Sequence, residues 1–302
     1  MTEPHSPSRA CPICGGAPRG TAFPYRTRYN HIEFSYLACG SCRTVFVDPV
    51  PDDATFALMY AKAAYHDFHY EGIEEASYAE SAAMLARHLH LGACVLDYGC
   101  GAGYFLEACS AQGLMPFGVE FDQDEARAAG QRTGCRTYSV REFGQAGAPE
   151  RFDAIHLGDV LEHLPEPFET LRSLIAGLRP GGVVFLEGPL EVNPSPVYWA
   201  ALAYGAVKKR LRPAATRSGA PTHLLRTDAP SQRLFFERFG NLRLVEWRTE
   251  ETGWPYANGG RAKKTIAAWA RWVNRTRPLG IEFGNRFRAI LVKQANGQNA
   301  SP

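Results

Sequence analysis

A chain of 302 residues that is 45% hydrophobic and 21% charged exceeds one average domain and can bury a sizeable core, which excludes pervasive disorder and predicts a main domain with a smaller appendage. The formal charge of +2 hides a split: residues 201–302 hold 19 Lys and Arg against 6 Asp and Glu, a formal +13, leaving −11 on residues 1–200. Either the two surfaces attract each other, or the basic part meets an anionic substrate or a membrane surface.

Met1 to Ala10 is polar and rich in Pro and Ser, with no apolar stretch of the kind that directs export, so a cytoplasmic location is expected. The longest apolar run, Val197 to Val207, falls short of the ~20 residues needed to span a bilayer. Eight cysteines in such a chain point to metal binding and reduced thiols rather than a disulfide framework.

Four of these cysteines are patterned. Cys11-Pro-Ile-Cys14 and Cys39-Gly-Ser-Cys42 are two C-x-x-C knuckles separated by 24 residues. Together they supply the four thiolates of a structural zinc site, the alternative being unligated or redox-active cysteines. Phe23, Tyr25, Phe34 and Tyr36 between the knuckles, and Thr44 to Val47 after them, predict a small β-ribbon over residues 1–50. Such a unit is too short for a core of its own, so metal would supply most of its folding energy. It lacks a basic helix or stripe, and nucleic acid is not an expected partner. Residues 51–90 read as a helical connector carrying Phe56, Tyr60, Tyr65, Phe68, Tyr70 and Tyr78, a pattern of core packing or of a cover over a ligand.

The segment Cys94 to Leu106 carries the most information: a short apolar strand, an acid at Asp97, a turn with Gly99, Gly101 and Gly103, then a helix. Glycines there let the backbone approach a ligand, and the helix N-terminus presents unpaired N–H donors. The spacing D-x-G-x-G-x-G differs from the G-x-G-x-x-G of a pyrophosphate site, and Asp97 would repel a pyrophosphate but accept from an ammonium group. Leu114 to Asp122 predicts a second strand ending in Glu120, placed to accept both hydroxyls of a ribose.

These segments resemble the first two motifs of class I S-adenosylmethionine-dependent methyltransferases. Arg151 to Pro167, with Asp159, Glu162 and His163, resembles the family's fourth strand and following turn, and Leu178 to Gly188 resembles its fifth strand. The resemblance implies an α/β fold with a Rossmann-like, doubly wound, mostly parallel seven-stranded sheet over residues 91–295. It implies S-adenosylmethionine as cofactor, with Asp97, Gly99, Gly101 and Gly103 at its methionine end, Glu120 on the ribose, Phe121 against the adenine, and Asp159 nearby. Val140 stands where the family usually has an acid or polar residue near the adenine amino group, so Ser139 or backbone would make that contact.

Candidate general bases are His163 and His223, each of which has a structural reading as well. The spacing of Asp159, Glu162 and His163 is similar to that of methyltransferases of ubiquinone biosynthesis, which can use a divalent ion near a substrate phenol; capping and packing of the turn is the competing role. Residues 191–222 read as a lid insertion, with Tyr198, Trp199, Tyr204 and the cations Lys208 to Arg210, Arg212 and Arg217. Asp228-Ala-Pro230 opens a helix, Leu242 to Trp247 and Phe287 to Val292 read as the last strands, and residues 261–277 form a cationic amphipathic helix that docks on the sheet or touches a membrane surface. The expected function is methyl transfer to a hydroxyl of a small-molecule or glycan acceptor; a nicotinamide-dependent oxidoreductase and a non-catalytic zinc and nucleotide-fold adaptor are the alternatives.

Overall fold

Continuous runs of apolar residues make strands buried on both faces, and such runs build the centre of the molecule. In the computed structural model, which describes residues 9–60, 75–146, 152–211, 217–221 and 223–294, strand β4 (Cys94–Tyr98), β5 (Met115–Glu120), β6 (Arg136–Ser139), β7 (Phe152–Gly158), β8 (Leu178–Pro189), β11 (Leu242–Glu250) and β12 (Arg286–Lys293) form one sheet. Tyr65, Phe68 and Tyr70 of the connector, with Arg151 and Arg212, lie outside the described residues.

The sheet order is β11-β12-β8-β7-β4-β5-β6. β4 to β8 pair in parallel, and β12 is antiparallel to both β8 and β11, so one strand of seven is reversed. The chain leaves β4 toward β5 and β6, then crosses back to β7 on the other side. A ligand crevice opens at the carboxyl ends of the strands at such a reversal. Helices α3 (Tyr104–Ala111), α4 (Gln123–Thr133), α5 (Val140–Ala146), α6 (Pro167–Ala176) and α8 (Ala229–Glu237) alternate with the strands. Asp228 opens α8 by accepting from Ser231 N–H, in a reciprocal capping box.

The N-terminal part is a second sheet. Strands β1 (Pro18–Tyr29), β2 (Ile32–Cys39) and β3 (Val45–Asp48) form an antiparallel meander, and helix α1 (Asp53–Met59) follows, capped by Asp52. The insertion contributes strands of its own: β9 (Arg217–Ser218) pairs with β1 and β10 (Leu225–Arg226) pairs with β3, giving the order β10-β3-β2-β1-β9. The ribbon expected over residues 1–50 is therefore completed from residues 217–226, because both of its edges would otherwise carry unpaired backbone groups.

Its apolar residues are shared as well. Cys11, Ile13, Cys39 and Phe46 pack in one buried cluster with Phe235, Phe239, Leu171 and Leu186 of the main domain. Arg238 donates to the carbonyls of Pro12 and Ile13 at 2.6 and 3.1 Å, tying the first knuckle to the end of α8. Helix α2 (Glu75–Ala86) packs its Ala82, Met84 and Leu85 on the large sheet. The aromatic and basic part of the insertion folds as helix α7 (Pro196–Leu211), in contact with α9 (Arg261–Thr276).

Candidate active site

Asp97 ends the apolar part of β4 and is 2% exposed. Its carboxylate is held by His156 on the neighbouring β7, with 2.7 Å between Oδ1 and Nδ1. The other ring nitrogen of His156 reaches Glu187 on β8 at 3.3 Å. Burial pulls the His156 imidazole down, but the two carboxylates outweigh it and raise it to about 9. Burial pushes Glu187 up, and bonds from His156 and from Ser81 of α2 more than reverse this, leaving it at about 2. Arg288 closes the chain of charges, donating to Glu187 at 3.1 Å and to Glu250 at 2.8 Å. Three adjacent strands thus fix the orientation of Asp97 from below.

The glycine turn follows. Gly99 adopts φ +86°, and a Cβ there would stand 2.3 Å from Val160 Cγ2 on the opposite side of the crevice. Gly103, at φ +84°, begins α3 without a side-chain cap and leaves the helix's first N–H groups toward the crevice. Gly101 N–H donates to Glu120 Oε2 at 2.8 Å and Phe121 N–H to Oε1 at 2.7 Å, so β5 presents its terminal carboxylate directly above the turn. Burial holds the Glu120 carboxyl above its ordinary value. A Gly99→Ala change should cost about 2–5 kcal/mol, from left-handed backbone strain plus overpacking against Val160. Thermal unfolding of Gly99→Ala and of Gly99→Ala with Val160→Ala checks this: the second change should recover only the steric part, and an unshifted melting point for the single variant would refute the account.

Aromatic residues of the connector meet the end of β5. Phe121 is exposed on its outer side and meets Phe56 and Tyr60 of the α1 region edge-on, at centroid distances of 5.2 and 6.0 Å. Tyr78 of α2 stacks on Tyr104 at 5.7 Å, and its hydroxyl is pushed up to about 12 by burial and by the charges of Asp159, Asp97 and Glu187. Tyr60 packs against Phe56 at 4.6 Å, and Tyr78 packs on the cluster that α2 shares with the large sheet. At the end of β6, Ser139 N–H and Oγ both donate to Glu142 at 2.8 Å, which ties the hydroxyl to the start of α5.

Asp159, the first residue after β7, adopts φ +53° and pairs with Arg286 of β12 at 2.8 Å. The Glu162 carboxylate, the His163 ring and the His223 ring instead gather, with donor atoms all within 4.8 Å. The Asp159, Glu162 and His163 set suggested by spacing is thus rearranged: Asp159 turns to a cation, and His223 arrives from the insertion. Two backbone bonds bring it there, because Leu224 N–H donates to Glu162 O at 2.8 Å while Val47 N–H of β3 donates to Leu224 O at 3.0 Å.

Within this group His163 Nδ1 lies 2.8 Å from the Tyr60 hydroxyl, and the two imidazoles meet edge-on at 4.7 Å. His223 Nδ1 lies 2.7 Å from Glu191 Oε2, which leaves its Nε2 for a ligand. Burial lowers the His223 pKa, but Glu191 and then Glu162 outweigh it and raise it above the ordinary value. Burial pushes Glu162 up to about 8, and the Asp159 charge adds to this. Glu191 is pushed up by burial but held at about 2, chiefly by Arg226 and His223. Two imidazoles and a poorly ionised carboxyl can serve as an acid–base group or as three ligands of a divalent ion.

The four knuckle cysteines also converge. Cys11 and Cys42 Sγ lie 3.6 Å apart, Cys14 and Cys39 Sγ 3.5 Å apart, and all four fall within 4.8 Å. Tetrahedral zinc with 2.3 Å bonds requires sulfur separations of about 3.8 Å, so the donor set fits that ion. Ser41 N–H donates to Cys39 Sγ at 3.3 Å, as expected where a thiolate accumulates charge.

His156, Glu187, Glu191, Arg286 and Arg288 escaped the sequence reading. A charged residue inside an apolar strand was the available signal for His156, Glu187 and Arg288, since a strand buried on both faces admits such a group only when it is partnered. Nothing local marked Glu191 and Arg286.

The fold and the site define a doubly wound α/β protein with an acid-lined, glycine-rich ligand crevice. Residues 70–239 match the family model described as a methyltransferase domain; this is more than half of the chain, and the chain belongs to that family. An uncharacterized methyltransferase of Mycobacterium tuberculosis is 36% identical over 143 residues, covering 42% of this chain and 56% of the relative. A ubiquinone biosynthesis O-methyltransferase of Histophilus somni is 34% identical over 122 residues, covering 37% and 50%. The chain spans about half the length of the curated relatives it matches. Among solved structures, a SAM-dependent methyltransferase from Archaeoglobus fulgidus aligns with 73% of this chain and 95% of its own, at TM-score 0.48 and 19% identity.

Proposed function

We propose that the protein transfers a methyl group from S-adenosylmethionine to a hydroxyl of a small-molecule or glycan acceptor, and that its four-cysteine site holds structural zinc. The observation that carries this reading is the pair of acids, buried Asp97 and half-buried Glu120, at the ends of adjacent parallel strands around one glycine turn. Asp97 suits the cofactor's ammonium group and Glu120 its ribose hydroxyls, each charge-assisted bond contributing about 1.5–3 kcal/mol. Gly99, Gly101 and Gly103 admit the methionine end, Phe121 with Phe56 and Tyr60 borders the adenine side, and Asp159 with Arg286 forms the wall toward the acceptor. Bound there, the cofactor supplies an electrophilic methyl carbon, so the protein's task is alignment, exclusion of water and removal of one proton.

His223 is the general base. Glu191 orients its Nδ1–H and leaves Nε2 to take the acceptor's proton, while His163, steadied by Tyr60, forms the neighbouring wall. That the Histophilus somni relative is an O-methyltransferase supports oxygen as the acceptor atom. Calorimetry with S-adenosylhomocysteine and with NAD tests the cofactor assignment: binding of the first alone is expected, and binding of NAD alone would overturn it.

Because Glu191 and Glu162 hold His223 protonated above its ordinary pKa, the base form accumulates only as pH rises past 6.5. The rate should therefore climb on the alkaline side of neutrality. Glu191→Gln should shift that limb to lower pH and leave S-adenosylhomocysteine affinity within about twofold. A limb that stays in place would remove His223 and Glu191 from the proton transfer.

A further inference from the structure

Ten of the sixteen exposed large apolar side chains among the described residues lie on α7, on α9 or in the segments flanking α9. On α9, Ala267, Ala270 and Val273 face inward and are at most 4% exposed. The opposite side carries Trp269 and Trp272, 51% and 58% exposed, three residues apart and so on one face. Arg261, Lys264 and Arg275 are exposed along the same side, and residues 261–277 contain six cations and no acid.

The neighbouring elements continue this surface. Leu279, three residues after α9, is 95% exposed, and Trp254, seven residues before it, 70%. Gly253 packs against Ala267 of α9, which seats Trp254 beside the helix. Helix α7 touches α9, and the Trp199 ring meets Phe283, whose carbonyl accepts from Asn274 of α9. From there α7 exposes Tyr204, Val207 and Leu211 with Lys208 and Arg210.

Exposed tryptophans rimmed by unpaired cations suit the boundary between headgroups and acyl chains, where an indole buries its ring and a cation meets phosphate. A nucleic-acid duplex would satisfy the cations and leave the Trp and Leu side chains in water. No helix of the described residues is long and apolar enough to cross a membrane, so contact is from one side.

We propose that the Trp269 and Trp272 face of α9, extended by α7, docks the protein on anionic phospholipid bilayers. The cations supply attraction to the surface and the indoles supply insertion. This stands apart from the cofactor assignment, since none of these side chains borders Asp97, Glu120 or His223.

The test is flotation of the full chain with phosphatidylcholine vesicles containing or lacking a phosphatidylglycerol share of roughly 30 mol%, since each basic residue near an anionic surface gains about 1 kcal/mol. Binding to the anionic vesicles, weakened by high salt, is expected. Trp269→Ala with Trp272→Ala should reduce it about tenfold or more, and Lys264→Glu with Arg275→Glu should abolish it, both without loss of S-adenosylhomocysteine binding. The proposal is overturned by absence of binding to anionic vesicles, or by binding that the tryptophan variant leaves intact. It is equally overturned by light scattering that shows a dimer which the tryptophan variant splits, since a second copy would then cover this face.

Discussion

Cys39→Ser in the full chain is expected to lose bound metal, to melt at a markedly lower temperature and to lose methyl transfer far more than cofactor binding. A four-thiolate zinc site contributes about 10–16 kcal/mol of apparent folding energy, and the small sheet's own cluster of Phe34, Tyr36, Val45, Val47 and Met59 with Leu224 is separate from the one the cysteines join. The melting effect reaches the main domain because Cys11, Ile13, Cys39 and Phe46 share its apolar cluster. The catalytic effect follows a different route. Val47 of β3 holds the Leu224 carbonyl, and Leu224 holds the Glu162 carbonyl, so the ribbon fixes the residue next to His223. Asp97 and Glu120 are instead fixed by β4, β5 and β7. Metal analysis, thermal unfolding and calorimetry with S-adenosylhomocysteine at low temperature separate the two effects. Full metal content with an unshifted melt would remove zinc from the account, and transfer that survives metal loss would uncouple the ribbon from His223.

Asp97→Asn is expected to weaken S-adenosylhomocysteine binding by about 10- to 150-fold, the equivalent of one charge-assisted hydrogen bond at 1.5–3 kcal/mol. It also leaves the buried His156 with one carboxylate instead of two. His156 is raised to about 9 in the folded protein, above the 6.5 of a free imidazole. Its stabilising contribution is therefore complete below pH 6.5 and is lost as pH rises through about 9. Glu187, held at about 2, behaves oppositely: its contribution is present above pH 4.5 and is lost as pH falls through about 2. Thermal unfolding between pH 6 and 10 should show the alkaline loss in the natural protein, and Asp97→Asn should move it to lower pH. Unchanged affinity would displace Asp97 from the cofactor site, and an unmoved alkaline limb would show that His156 does not depend on it.

Much of this architecture is legible in linear order. The glycine turn behind Asp97 lies within nine residues, and short-range spacing suffices to mark strand, turn and helix. Glu120 ends the next apolar strand, so its place above the turn follows from parallel pairing of adjacent strands. The two knuckles announce a common centre because each C-x-x-C already aims two sulfurs to one side. The last two strands, the capped helix at Asp228 and the amphipathic helix from Arg261 carry periodicities that survive in the fold.

The acceptor side is different in kind. His163 and His223 stand 60 residues apart, and Glu191 belongs to a third segment; their convergence depends on an insertion whose short strands β9 and β10 have no pattern of their own. Asp159 illustrates the same limit, because its spacing to Glu162 and His163 suggested a ligand set while Arg286, 127 residues later, captures it.

The sequence by itself therefore determined the fold class, the glycine turn and the clustering of the four cysteines, since each rests on contacts among residues close in the chain or in adjacent strands. Only the tertiary structure decided that His223 joins Glu162 and His163, what steadies Asp97, and which face of the cationic helix is left uncovered. Those outcomes come from long-range pairing of backbone and charge, whose geometry no local periodicity encodes.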